Sequence, residues 1–313
     1  MVQTFRNKMA TSTFTLPVVS VLTFIVWVTD AAGSRAMWIS LLFAALTAYT
    51  LAEWNNRYGL LRIRSRFVST SFLLLMCASP FLHTAAEGLA PALCLAVSYL
   101  LLFACYQQPR SQGKVFHAFL STGIATMLTP VAWLLVVPQY IFMTFQLRCL
   151  TWRTFVAGLL GLAVPYWCTF VWTVITGDLA TAALAFADNI SDACHAPLLA
   201  MPHYALLSLP EKVVGIYLAA LSIIGIFHYF RTSYNDRIRV RMFFHSIIIT
   251  EIFLLAAAFM LPQHFAWTFP LLLVNSAPLI AHYWTLARGR GIEIWFWAMT
   301  ILYICIAVAT HIL

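Results

Sequence analysis

The chain has 313 residues, 62% of them hydrophobic and 9% charged, with a mean hydropathy of +0.87. That leaves too little polar surface to cover a water-soluble globule. The net charge of +8 is divided among short clusters between apolar runs rather than gathered on one face of a folded domain, which excludes a nucleic-acid footprint.

The expected fold class is therefore all-α: a polytopic transmembrane helical bundle forming a single integral membrane domain over 1–313. Sixteen of the eighteen Lys and Arg residues fall in six clusters at alternate boundaries between apolar segments. These are Arg6 and Lys8; Arg57, Arg62, Arg64 and Arg66; Arg110 and Lys114; Arg148 and Arg153; Arg231, Arg237, Arg239 and Arg241; and Arg288 and Arg290. Only Arg35 and Lys212 remain for the other face, so the positive-inside rule predicts a bacterial inner-membrane protein with a cytoplasmic N-terminus. Crossing about 30 Å of hydrocarbon takes about 17 to 25 apolar residues. The predicted spans are 13–29, 37–52, 67–82, 89–106, 116–128, 131–147, 154–176, 212–230, 243–261, 265–285 and 294–311, about eleven in all.

The first span has the outline of a signal peptide, with Arg6 and Lys8 before it and Ala31-Ala32-Gly33 after it. A second span begins almost at once, so the first is expected to be retained. Asp30 then lies in a short external loop over about 30–36, beside Arg35. An acidic residue in the first external loop is the arrangement of polytopic GT-C glycosyltransferases, which use lipid-linked sugar donors. Asp30 is thus the candidate catalytic residue, although the loop is shorter than in those enzymes.

The cytoplasmic segment 53–66 combines Arg57, Arg62, Arg64 and Arg66 with Trp54 and Tyr58. Guanidinium groups suit bidentate phosphate contacts, so Arg57, Arg62 and Arg64 are candidate ligands for anionic lipid headgroups or a nucleotide diphosphate. Anionic lipids at the Arg clusters are the expected partners, with envelope proteins as possible further ones.

Between Lys114 and Arg148 an even number of crossings must fit into about thirty apolar residues broken at Thr129-Pro130. The hairpin 116–147 reads either as interrupted helices lining a cavity or as a proline-kinked packing pair. Its text is Lys114-Val-Phe-His117, Gly123-Ile-Ala-Thr-Met-Leu-Thr-Pro130, then Gln146-Leu-Arg148, Thr151-Trp-Arg153, Gly158-Leu-Leu-Gly161 and Pro165-Tyr166. Over about 50–170 the chain resembles a family of uncharacterised polytopic bacterial inner-membrane proteins. In that family a short cytoplasmic Trp-Arg turn also follows a proline-broken hairpin. The resemblance implies an integral membrane protein and carries no catalytic residues.

The longest external segment, 177–211, predicts an interfacial helix with Asp188 and Asp192 one turn apart and His195 close by. These three are candidate binding residues for a cation or a sugar phosphate. Their spacing matches no zinc signature, so no metal ligands and no cofactor are expected. The seven cysteines offer no external pair for a disulfide, since only Cys194 lies in an external loop.

Glu251 is the most deeply placed ionisable residue, at mid-span in 243–261, where a carboxyl group needs a partner or a cavity. Asn275 and Ser276 stand at matching height on the next antiparallel span, and His245 and His282 extend a possible relay toward the cytoplasm. Three classes of function follow. The first is a structural or accessory subunit in cell-envelope assembly, the second a GT-C-like glycosyltransferase, and the third a secondary transporter with a mid-membrane site at Glu251. Whether the chain is an enzyme stays open at this stage.

Overall fold

The computed structural model describes residues 5–31, 33–177, 204–287, 289 and 291–312, with isolated positions between 178 and 203. Every regular element among them is helical. The α-helices are α1 (Phe5–Thr11), α2 (Thr15–Ala31), α3 (Arg35–Tyr58), α4 (Phe67–Cys77), α5 (Ala86–Phe103), α6 (Gln112–Leu128), α7 (Val136–Phe145), α8 (Trp152–Thr176), α9 (Leu209–Thr232), α10 (Ile238–Met260), α11 (Phe265–Leu286) and α12 (Ile292–Ile312). Six of these, α3 and α8 to α12, are long and apolar enough to cross a bilayer.

The bundle is built around α11. Of its most apolar window 83% is buried, against 11% for the peripheral α12. Pro270 and Pro278 both lie inside α11, and a helix packed on all sides can hold such interruptions because its neighbours re-satisfy the freed backbone groups. At one end an aromatic cluster joins α3, α5 and α10: Trp54 stacks on Tyr99 at 5.1 Å and Phe103 on Phe243 at 4.2 Å. That packing explains why α3 runs on to Tyr58. Residues 53–58, expected as loop, are the last turns of this helix, with Trp54, Asn55 and Tyr58 buried. Gly59, in the left-handed conformation at φ 59°, then closes it.

The hairpin 116–147 is a packed pair. α6 ends at Leu128, a 3-10 segment Pro130–Leu135 follows, and α7 returns the chain. Gln139, buried in α7, donates to Thr122 of α6 at 2.9 Å and to Ser98 of α5 at 3.2 Å, so the break is sealed by side-chain hydrogen bonds. On its other side α6 meets α8 at backbone contact. A Cβ on Gly161 would stand 2.3 Å from the Phe116 carbonyl oxygen, and one on Gly123 would stand 2.7 Å from that of Leu162. Small residues are what permit such close helix approach.

Candidate functional site

Three polar clusters stand out, at mid-depth and at the two ends of the bundle. At mid-depth Glu251 is fully buried. Its Oε2 accepts from Asn275 Nδ2 at 2.7 Å and its Oε1 from Ser276 Oγ at 2.7 Å. The second Asn275 N–H donates to Ile247 O at 2.9 Å, and the amide oxygen accepts from Tyr99 Oη at 2.6 Å. Ser222 Oγ donates to Ser276 Oγ at 2.9 Å. One connected network therefore ties α5, α9, α10 and α11 together. His282, a candidate relay residue, makes its side-chain contact elsewhere. It turns to the Arg-rich end, where its Nε2 lies 3.3 Å from Asp236 Oδ2, while His245 packs on the rings of Tyr229 and Phe230.

At the Arg-rich end Arg62 Nε donates to Asp236 Oδ1 at 2.5 Å and its Nη2 to Thr232 O at 2.6 Å. Burial raises the Asp236 pKa, but hydrogen bonds from His282 and Arg62 outweigh that and hold the carboxyl below its ordinary value. Arg57, Arg62 and Arg64, the candidate phosphate ligands, lie at this end. Arg62 is engaged by a carboxylate, while Arg57 and Arg64 are exposed.

At the opposite end Asp30, in the last turn of α2, meets His83 and His311. Its Oδ2 lies 2.7 Å from His83 Nδ1 and 3.0 Å from His311 Nε2. The local sequence builds this arrangement. Gly33, at φ 107°, lets the chain reverse just beyond Asp30. Pro80 starts a 3-10 turn, Pro80–Leu82, that ends α4 and presents His83. Trp27 stacks on the His83 ring at 4.2 Å and donates to the His83 carbonyl at 3.1 Å. Thr310 ties α12 to Ala78 O at 3.2 Å. His83 is buried, and Asp30 and His311 have side chains 23% and 22% exposed, so the cluster has one open side. Burial holds the His83 pKa below its ordinary value, against the opposing influence of the Met76 carbonyl and Asp30.

Asp30, Glu251, Asn275 and Ser276 thus have defined surroundings, and the structure joins the last three directly. Asp188 is exposed, and Asp192 and His195 lie outside the described residues. His83 and His311 were not anticipated as partners of Asp30, because each reads by itself as an interfacial histidine. The usable signal was their height: all three residues sit at the same-side ends of predicted spans. No family model, curated protein or solved structure matches this chain.

Proposed function

We propose that this chain is a multi-pass protein of the bacterial inner membrane with about eleven crossings and a cytoplasmic N-terminus, serving as a structural or accessory subunit in cell-envelope assembly. The succession of eleven helices α2 to α12 supports the crossing number, and the six of them that are long and apolar enough to cross a bilayer support the membrane class. The grouping of Arg62 with Asp236 at one end and of Asp30 with two histidines at the other fits the Arg and Lys asymmetry.

One observation carries the subunit reading: both oxygens of Glu251 are spent on joining helices. A carrier site needs a polar group free to meet its cargo, whereas a fastener needs what is seen here. The test is complementation of a deletion strain with Glu251→Gln and Asp30→Asn. Both variants are expected to restore the envelope phenotype. Loss of complementation by Glu251→Gln at unchanged thermal stability would overturn the reading.

A GT-C-like enzyme is the second reading, favoured by the company Asp30 keeps. A groove of about 740 Å³ runs along α2 and α12, lined by Lys8, Val18, Leu22, Trp297, Tyr303 and Ile304 among others. It stops eight residues short of Asp30 on α2, about 12 Å along a helix. Loss of activity on lipid-linked sugars in Asp30→Asn, with folding intact, would establish this reading over the first.

A further inference from the structure

The hydrogen bonds around His83 and His311 fix which nitrogens face Asp30. His83 Nε2 lies 3.2 Å from the Met76 carbonyl oxygen. His311 Nδ1 lies 2.7 Å from the Ala307 carbonyl oxygen. A carbonyl oxygen only accepts, so these two contacts favour the tautomers that carry the proton on His83 Nε2 and His311 Nδ1. In those neutral tautomers the remaining nitrogens, His83 Nδ1 and His311 Nε2, are bare lone pairs. Both point at one carboxylate oxygen, at 2.7 and 3.0 Å. Two lone pairs and a carboxylate converging on one point repel one another unless a positive charge lies among them. Protonating both rings would place two cations on one carboxylate, with His83 almost without water.

We propose that Asp30, His83 and His311 form a binding site for a divalent transition-metal ion of the zinc class. The three ligand atoms lie within 4.8 Å of one another, and a tetrahedral zinc site with bonds near 2.1 Å spaces its ligands about 3.4 Å apart. Widening the two Asp30–His contacts, now 2.7 and 3.0 Å, by a fraction of an ångström brings them to that spacing. An N₂O donor set selects Zn²⁺ over Ca²⁺ and Mg²⁺, which take oxygen ligands. Imidazoles that donate their outer N–H to backbone carbonyls are the usual second contacts of metal-bound histidine. The Trp27 stack holds the His83 ring in its ligating orientation. Three protein ligands with one open side leave a fourth position for water or a substrate oxygen. The site stands whether the chain is a subunit or an enzyme.

The test uses the full chain in nanodiscs, stripped with EDTA and re-equilibrated with Zn²⁺, with bound metal counted by mass spectrometry and melting followed in parallel. The expected result is about one Zn²⁺ per chain and a higher Tm with zinc than with EDTA. In Asp30→Asn and His311→Gln, affinity falls at least about ten-fold and the zinc-dependent rise in Tm disappears. His311 is on the open rim, so its variant keeps the test valid should substitution of the buried His83 disturb folding. Co²⁺ in the wild-type site gives the visible absorption of a tetrahedral N/O complex, and His311→Gln abolishes it. Equal zinc retention in wild type and both variants, or a wild-type Tm indifferent to zinc and EDTA, overturns the proposal and leaves a purely hydrogen-bonded cluster.

Discussion

Arg62 and Asp236, 174 positions apart in the chain, meet at 2.5 Å and fasten the segment after α3 to the turn between α9 and α10. The Arg62 side chain is 30% exposed and keeps its bond to Thr232 O when Asp236 is altered. The Asp236 side chain, however, is only 1% exposed and also meets His282, so Asp236→Asn is expected to lower stability by on the order of 1–3 kcal/mol at neutral pH.

The same pair carries a pH dependence. The Asp236 pKa is depressed in the folded chain, so its contribution is present above the ordinary carboxylate range and is lost as pH falls through the lower folded value. Thermal melting of wild type and Asp236→Asn should differ at pH 7 and converge as the pH drops below about 4. A gap that widens on acidification would contradict the assignment.

For the network at mid-depth, Glu251→Gln preserves a hydrogen-bonding group and should leave Tm nearly unchanged. Glu251→Leu leaves one Asn275 N–H without its acceptor among apolar neighbours, while Ser276 keeps its bonds to Leu272 O and Ser222. It should cost on the order of 1–3 kcal/mol, read as a lower detergent-denaturation midpoint.

Close packing of α6 on α8 gives a third stability prediction. Gly161→Ala puts a methyl group against the Phe116 carbonyl oxygen, at 2.3 Å before relaxation. The helices must part, with a loss of about 1–3 kcal/mol. An unchanged midpoint would mean that the two backbones are not in contact.

Orientation is open to thiol labelling of intact cells. Cys194 should react with a membrane-impermeant maleimide, whereas a cysteine introduced as Arg64→Cys should react only after permeabilisation. Cys149 is a poor reporter of sidedness, because it is fully buried and will resist labelling from either face.

The partnership of Glu251 with Asn275 and Ser276 was legible because consecutive antiparallel spans and a fixed helical rise put those residues at one height. Tyr99 and Ser222 were not legible as members of the same network. In a chain apolar on nearly every helix face, periodicity does not say which helices face each other. The extension of α3 to Tyr58 was missed for a related reason. Glu53, Asn55, Asn56 and Arg57 read as loop by polarity, while the burial of Trp54 and Tyr58 keeps them helical. The pairing of Arg62 with Asp236 was not legible either, because proximity in sequence was visible and the distant Asp236 was not.

Asp30 and His311 are 281 positions apart, so their contact closes nearly the whole chain into a loop. Such a contact has almost the highest sequence separation this chain offers, and its closure entropy is offset only after the intervening helices have packed. The peripheral α12 is then the element whose docking completes the cluster. Any defect in the interior of the bundle should be felt there first, as a loose last helix and an Asp30 that has lost one of its histidines.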